Sequence, residues 1–337
     1  MKTLQTQYLG MTLKNPLVPS ASPLSRDLDN ARHLEDAGAA ALVMHSLFEE
    51  ELIAEDRKLE RFLYHQDLGH HESSSFLPLP DNYSSGLDTY LEHLQQLKKH
   101  LQIPVIGSLN GVTDEGWIEY AEDLQGAGAD ALELNVYYIA ANIAESAEDV
   151  EQRYINMLRK LLDVVSIPVT VKLSPQFSSP VHFAHQLQQT GVAGIALFNR
   201  FYQCDINLET LSVEPHLQLS SPYEALLRVR WTAIMRGQLD IDIAVTGGFH
   251  NTPDIIKALL AGANVVHLCS TLLQQGSQRI STLLDETRHW LEDNEYDSVQ
   301  QMQGSLSQTN AADPGAFERS NYRHVLQSWT PPPGVRY

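Results

Sequence analysis

The chain has 337 residues, 43% of them hydrophobic and 19% charged, so it can form a full core; disorder and small disulfide-bonded scaffolds are excluded. Its 42 acidic and 23 basic residues give a net charge of −19, which makes nucleic acids and anionic membrane surfaces poor partners. The sequence shows no signal-peptide core and no run of about 20 apolar residues. Its two cysteines, Cys204 and Cys269, form no paired motif. We therefore expect a cytoplasmic protein without a membrane segment.

One pattern, an amphipathic run that ends at glycine and leads into a short apolar run, occurs four times. Glycine accepts the left-handed conformation that closes a helix. The apolar run that follows has the length and content of a buried parallel strand. Each copy therefore predicts a joint between a helix and a strand. The four copies are Glu35–Met44, Gln125–Leu134, Gln189–Phe198 and Leu260–Cys269.

Further apolar runs between these joints predict four more strands, at Leu17–Ser22, Ile103–Leu109, Val169–Leu173 and Ile241–Thr246. Eight strands and eight following helices predict a (β/α)₈ TIM barrel. A doubly wound open sheet is the less favoured alternative, because no GxGxxG follows the first strand. The predicted helices cover roughly 25–37, 87–100, 113–127, 145–166, 180–190, 222–237, 252–261 and 271–293.

Two insertions interrupt the predicted barrel, at 46–86 after the second strand and at 199–221 after the sixth. Both leave the carboxyl end of a strand, which is the face where barrel enzymes keep their active sites. The polar tail ends in three consecutive prolines and predicts no independent domain. We therefore expect a barrel domain over residues 1–304 and a tail over 305–337 that packs on or near it.

Lys172 is the sharpest candidate for function. It alternates with apolar neighbours in the strand Val169–Leu173, so it points into the barrel together with Thr170. A buried lysine is costly unless it meets an anion or loses its proton. The alternatives are a counter-charge for an anionic cofactor, a Schiff-base nucleophile, and a lysine that merely reaches from the mouth into water.

Two glycine- or hydroxyl-bearing turns follow the seventh and eighth predicted strands. Thr246-Gly247-Gly248 and Ser270-Thr271 each lie between a strand and the amino terminus of a helix, where free backbone N–H groups favour an anion. Barrels commonly hold phosphate after these two strands. The sequence therefore predicts a phosphate site, although each turn alone is also an ordinary strand-to-helix connection.

Three asparagines, Asn110, Asn135 and Asn199, end predicted strands, and their amides suit the edges of a polar ring. Each could also be a turn or capping residue. His65, His70 and His71 lie in the first insertion without acidic or cysteine partners at ligand spacing. We therefore predict no metal site.

Taken in order, these motifs make the chain resemble the class 1 dihydroorotate dehydrogenases over roughly residues 5–300. The resemblance is carried by Asn15–Ser22, Glu133-Leu134-Asn135, Val171-Lys172-Leu173, the two phosphate turns, and Leu79–Asn82 with Gly86-Leu87-Asp88. It implies a barrel that binds FMN and forms a homodimer. It places Ala21, Ser22, His45, Ser46, Asn110, Asn135, Lys172, Asn199, Thr246, Gly247, Gly248, Ser270 and Thr271 at the cofactor, and Asn82, Asn110, Asn135 and Asn199 at the substrate.

The chain departs from this family at the catalytic base. The family's cysteine or serine aligns with Tyr138, and its following Pro-Asn becomes Ile139-Ala140. A tyrosine is a poorer base than cysteine near neutral pH but a reasonable proton donor. We expect Tyr138 and Lys172 to be catalytic and Cys204 to be the alternative base. If the strand alternates at this point, Tyr137 points the other way.

The resemblance thus predicts an FMN-dependent oxidoreductase that acts on a CH–CH or C=C bond of a small planar polar molecule. Dihydroorotate, a related dihydropyrimidine or an enone would fit. Two alternatives stay open. One is a Schiff-base lyase that uses Lys172, and the other is a flavin-binding barrel without dihydroorotate turnover.

Overall fold

The computed structural model describes residues 2–55, 85–111, 113–201, 203–320, 322–328 and 330. Asn82 and the three histidines of the first insertion lie outside these residues. The strands are β1 (Thr6–Tyr8), β2 (Met11–Leu13), β3 (Leu17–Pro19), β4 (Leu42–Val43), β5 (Leu47–Phe48), β6 (Val105–Asn110), β7 (Ala131–Asn135), β8 (Val169–Leu173), β9 (Gly194–Leu197), β10 (Gln203–Asn207), β11 (Ser212–His216), β12 (Asp242–Thr246) and β13 (Val265–Leu268).

The helices alternate with the strands along the chain, as the sequence predicts. Within the described ranges their bounds are α1 (Leu28–Asp36), α2 (Gly86–His100), α3 (Asp114–Gly126), α4 (Ala147–Val164), α5 (Pro180–Thr190), α6 (Ala225–Met235), α7 (Thr252–Ala261), α8 (Ser270–Gln275), α9 (Arg279–Asp293), α10 (Val299–Met302) and α11 (Tyr322–Ser328). Residues 49–55 are also helical. None of these described helices is both long and apolar enough to cross a membrane.

The sheet is a nearly closed parallel barrel. Its strand order is β3-β13-β12-β9-β8-β7-β6-β4, and all of the neighbouring pairs are parallel. The Ala40 N–H donates a 3.0 Å hydrogen bond to the Leu17 carbonyl across the remaining gap between β3 and the start of β4. The predicted (β/α)₈ TIM barrel is confirmed, and the carboxyl ends of all eight strands meet at one mouth.

The helix-to-strand joints form where the glycine pattern predicts them. Gly191 ends α5 with φ of +98°, and Gly262 follows α7 with φ of +121°. A side chain at Gly262 would also approach the Arg236 side chain to 2.4 Å, so glycine is needed there for space as well. The prediction of one helix over 271–293 is wrong in one respect, because the chain breaks at Gly276 between α8 and α9.

The amino terminus closes the bottom of the barrel. Strands β1 and β2 form an antiparallel hairpin that the sequence did not reveal. Its side chains Tyr8, Leu9 and Leu13 are fully buried against apolar residues of the barrel interior. The Leu9 N–H donates to the Asp242 carboxylate at 2.6 Å, which fixes the hairpin to β12. The barrel interior is thus sealed below and open only at its mouth.

The second insertion contains a two-stranded antiparallel hairpin, β10–β11, that stands away from the barrel beside the mouth. The chain returns from it through residues 217–221 to α6. At the other end of the protein, the tail follows the barrel surface. Leu306 and Gln308 donate backbone hydrogen bonds of 2.9 Å to carbonyls of α7 and α6, whereas the side chains described in α11 are exposed.

Candidate active site

A cavity of about 220 Å³ opens at the carboxyl ends of the strands. Its wall is formed by the ends of β8, β9, β12 and β13 and by the segment that returns from the β10–β11 hairpin. The structure therefore brings together side chains that are far apart in the sequence. The predicted site residues that line it are Ala21, Lys172, Asn199, Thr246, Gly247, Gly248 and Ser270.

Lys172 lies at the floor of this cavity. Its side chain is 9% exposed, and its Nζ is 3.4 Å from Oε1 of Glu133 on the adjacent strand β7. Glu133 is completely buried. A buried carboxylate of this kind is tolerated only with a charged or hydrogen-bonding partner, and Lys172 supplies one. The inward orientation expected for Lys172 is what the structure shows.

His267 lies on the other side of the same carboxylate. Its Nδ1 is 3.5 Å from Oε2 of Glu133, and the ring is fully buried. Burial lowers the pKa of His267 from 6.5 to about 4, with Glu133 opposing and Lys172 reinforcing the shift. The imidazole is therefore neutral near pH 7. Among the described residues, neither of its ring nitrogens has a hydrogen-bond partner.

The two-glycine turn after β12 packs tightly against the start of α6. Gly247 and Gly248 have φ of +88° and +96°. A Cβ at Gly248 would come within 2.3 Å of the Ala225 backbone nitrogen, so only glycine fits. The Gly248 N–H donates to Ser220 Oγ at 3.1 Å, and that hydroxyl is 2.8 Å from Ser270 Oγ. Hydrogen-bonding groups from three loops thus meet at one end of the cavity.

Thr271 and Arg228 lie behind this end of the cavity. The Thr271 hydroxyl is buried and has no hydrogen-bond partner within the described part of the chain. Arg228 is also buried, and its guanidinium donates to the carbonyls of Thr246 and Glu224 at 2.9 and 3.0 Å. A cation next to the glycine turn favours an anion in front of it.

The three asparagines take different positions. Asn199 lines the mouth cavity and donates its amide to Asn135 Oδ1 at 2.5 Å, so these two amides form one pair. Asn110, at the end of β6, instead lines a neighbouring cavity together with Tyr137, Tyr138 and other residues.

Tyr138 belongs to an ion-paired cluster in this neighbouring cavity. Its side chain is 37% exposed, and its hydroxyl donates to Glu145 Oε2 at 2.5 Å. The Arg153 guanidinium lies 4.7 Å from the centre of the Tyr138 ring and forms an ion pair with Glu145. The hydrogen bond from Tyr138, assisted by Arg153, lowers the pKa of Glu145. Tyr137 also lines this cavity, and its ring centre lies 4.1 Å from that of Phe201.

The remaining candidates lie elsewhere. His45 and Ser46 line a third cavity, where burial, Arg26 and His93 lower the pKa of His45 to about 4. Ser22 is buried beside this region, and its carbonyl accepts hydrogen bonds from the backbone N–H and the hydroxyl of Ser25. The alternative base Cys204 is exposed on β10 and is not part of the mouth cavity, whereas Cys269 lines it and its thiol pKa is raised by burial.

Sequence reasoning assigned no role to Glu133, His267, Ser220 or Arg228. Glu133 and His267 carry one usable signal, because each is a polar residue inside a strand that is otherwise apolar. Ser220 lies in Leu219–Pro222, the segment that replaces the family's glycine-rich phosphate turn by resemblance. Arg228 carries no signal, since its position depends on how α6 folds against β12. In the described residues no group of three or more histidine, cysteine or acidic side chains could hold a metal ion.

The nearly closed parallel sheet with alternating helices defines the class of this protein as a (β/α)₈ TIM barrel, and the buried lysine and the glycine turn lie at its mouth. The sequence model of the dihydroorotate dehydrogenase family matches residues 82–291, more than half of the chain. The chain belongs to this family.

Several curated relatives are catalytic subunits of dihydroorotate dehydrogenase B (NAD(+)). The protein from Thermoplasma acidophilum is 23% identical over 310 residues, which cover 90% of this chain and 99% of the relative. Those from Geobacillus kaustophilus and Bacillus pumilus are 24% and 25% identical over 273 and 270 residues. These two alignments cover 79% and 78% of this chain, and 84% of each relative.

We expect acid to destabilise the fold through His267. The pKa of its ring is lowered from 6.5 to about 4, so the unfolded state binds more protons than the folded state between these values. The free energy of unfolding should therefore fall as the pH decreases through this window, by about 2 kcal/mol between pH 6.5 and 5 from this residue alone.

Urea denaturation at pH 7 and pH 5 measures this loss. His267→Gln should lose less stability between the two pH values than the unaltered protein. The control His289→Gln, at an exposed position on α9, should keep the full loss. An equal loss in His267→Gln would show that the buried ring is not responsible.

Proposed function

We propose that this protein is an FMN-dependent oxidoreductase that acts on a CH–CH or C=C bond of a small planar polar substrate. Dihydroorotate, a related dihydropyrimidine and an enone are the candidates. One observation carries the proposal: the buried Lys172 amine shares a cavity with the Thr246–Gly248 turn and Ser270, in a chain of the dihydroorotate dehydrogenase family.

The residues present fit a flavin mononucleotide. The glycine turn and Ser270 line one end of the cavity, with the Arg228 cation and the unpartnered buried hydroxyl of Thr271 behind it, and hydrogen-bond donors beside a cation suit a phosphate. Lys172 at the cavity floor suits the electron-accepting side of the ring. FMN bound there would supply hydride transfer at its N5 position.

In this arrangement Lys172 would hold a positive charge beside the N1 and O2 positions of the ring. Asn135 and Asn199, at the same rim, would orient the polar edges of the cofactor and substrate. Asn110 reaches the adjoining cavity, where it would contact the far side of the substrate.

Tyr138 would transfer the proton. Its hydroxyl carries a proton in a hydrogen bond to Glu145, and Arg153 balances the charge of that carboxylate. In an alkene reduction the proton moves from the Tyr138 oxygen to the substrate carbon next to the one that receives hydride. Arg153 beside the ring would stabilise the phenolate left behind.

The Schiff-base lyase is less well supported. Imine formation needs a free amine, and the Lys172 amine is ion-paired with Glu133 instead. A flavin-binding barrel without turnover would use the same phosphate end but would not need the Tyr138–Glu145 pair.

Purified protein should absorb as a flavoprotein and release FMN on denaturation. Anaerobic addition of dihydroorotate, other dihydropyrimidines and NAD(P)H should identify a compound that bleaches the flavin, and candidate acceptors should then restore the colour. A colourless protein trapped on its substrate by borohydride would favour the lyase. A yellow protein that none of these compounds bleaches would favour the barrel without turnover.

Tyr138→Phe should lower turnover by about 10²–10⁴-fold with the substrate that bleaches the flavin, because the transferable proton is lost. Its FMN content should not change. Tyr223→Phe, at an exposed tyrosine before α6, is the matched control and should turn over normally. Unchanged turnover in Tyr138→Phe would remove this tyrosine from the mechanism and leave the cofactor proposal intact.

The β10–β11 hairpin supports a homodimer. Because side chains alternate between faces, one face carries Cys204, Ile206, Val213 and Pro215, whereas the other is polar. Ile206 and Val213 are 62% and 70% exposed. A two-stranded hairpin is marginal in water by itself, and an apolar face of this kind is typical of a protein contact. We propose that this face packs against a second copy.

Light scattering coupled to size exclusion should therefore give twice the chain mass of 37.7 kDa. Ile206→Asp combined with Val213→Asp should give a monomer, because two charges would be buried in the contact. Ser212→Asp places a charge on the opposite face of the same hairpin and should leave the dimer intact. A monomeric unaltered protein, or a dimeric double variant, would contradict this contact.

A further inference from the structure

A row of ionisable side chains continues below the mouth cavity into the barrel. Glu133 lies in its middle, with one carboxylate oxygen 3.4 Å from Lys172 Nζ and the other 3.5 Å from His267 Nδ1. Glu133 and His267 are completely buried. Neither the substrate nor the cofactor chemistry described above uses them. Two buried ionisable groups this close to Lys172 need a physical explanation.

The ionisable groups near Glu133 come from four elements, namely β8, β13, β12 and the β1–β2 hairpin. Lys172 on β8 carries a positive charge, whereas His267 on β13 is neutral because burial lowers its pKa to about 4. Tyr8, from the β1–β2 hairpin, contacts the His267 ring edge-on and stays protonated, since burial and Glu133 raise its pKa. Asp242, further down, accepts hydrogen bonds from Leu9 and Asn264 at 2.6 and 2.7 Å.

Glu133 is therefore the carboxylate that compensates Lys172, and it does so in a region of low polarity. Among the described residues it is also the hydrogen-bond acceptor that the amine contacts. A negative charge that develops on a ligand above Lys172 must share this cation with Glu133. Electrostatic interactions over such distances are strong in a buried site, so the sharing has a measurable cost.

We propose that Glu133 is a positioning residue that holds the Lys172 amine and limits how strongly the site stabilises negative charge on the bound ring. This inference rests on the proposed function, since the ring is that of FMN. Its consequence is a lower flavin midpoint potential than Lys172 alone would produce. His267, being neutral, fills the far side of the carboxylate without cancelling its charge.

The test compares Glu133→Gln with the unaltered FMN-loaded protein. Glutamine keeps the shape of the side chain and removes its charge. The midpoint potential is measured by equilibration with a reference dye. Sulfite is a second probe, because its sulfur bonds to N5 of the oxidised ring without a leaving group, and the displaced electron pair leaves one negative charge on the N1 side.

Glu133→Gln should bind sulfite about tenfold more tightly, and its potential should rise by the equivalent amount, about 30 mV for a two-electron couple. Glu133→Asp shortens the side chain by one methylene and so moves the negative charge away from Lys172. It should shift the sulfite affinity and the midpoint potential in the same direction, by less. Asp254→Asn removes another buried carboxylate, on α7 outside the barrel interior, and should change neither. A purely structural role for Glu133 would change stability without moving the potential.

A failure of the proposed function and a failure of the role proposed for Glu133 give different results. If the unaltered protein binds no FMN, the proposed function is wrong. If it binds FMN and the folded Glu133→Gln protein keeps the original potential, the role of Glu133 is wrong. Should Glu133→Gln not fold, Glu133→Asp decides, because an unchanged potential in that variant contradicts the proposal.

Discussion

The ion pair between Lys172 and Glu133 is the constraint on which the site depends. Two opposite charges lie inside a barrel whose interior is largely apolar. Their pairing lowers the cost of burying both, because removing one partner of a buried ion pair costs about 3–5 kcal/mol. Their pairing across β7 and β8 places a cation directly beneath the barrel mouth. A closed barrel is what brings these strands and β13 around one carboxylate.

The β1–β2 hairpin closes the barrel below this ion pair, and the mouth loops form the cavity above it. Tyr8 and Leu9 seal the barrel from below, so the cavity above Lys172 opens only at the carboxyl ends of the strands. At that end the glycine turn is fixed by Ala225 and Arg228, and Ser220 reaches across it from the second insertion. The result is a polar cavity with a cation at its floor and N–H donors at one end.

Much of this architecture follows from the sequence, because glycine-ended helices and apolar runs are local signals. They predict all eight barrel strands, and alternation alone predicts that Lys172 points inward. The β1–β2 hairpin is not predicted, since strands of three residues are too short to show alternation. The direction of Tyr137 cannot be predicted for a related reason, because alternation does not extend beyond the strand end at Asn135.

The contacts between the charged side chains of the site cannot be predicted from the sequence, for a different reason. Glu133, Lys172 and His267 come from three strands, and their contacts depend on the closure and stagger of the barrel. Their polarity within apolar strands marks them as unusual but does not identify their partners. The pair Tyr138–Glu145 is likewise set by the loop that leads into α4, which local patterns do not describe.

A crystal structure of the protein grown with FMN tests most directly whether Lys172 contacts the flavin ring at the barrel mouth. We expect the ring above the barrel mouth, with Lys172 Nζ about 3 Å from its N1 or O2 atom and the phosphate at the Gly247–Gly248 turn. A ring bound elsewhere, or a Lys172 amine turned away from the ring while the cavity stays open, would contradict this role of Lys172.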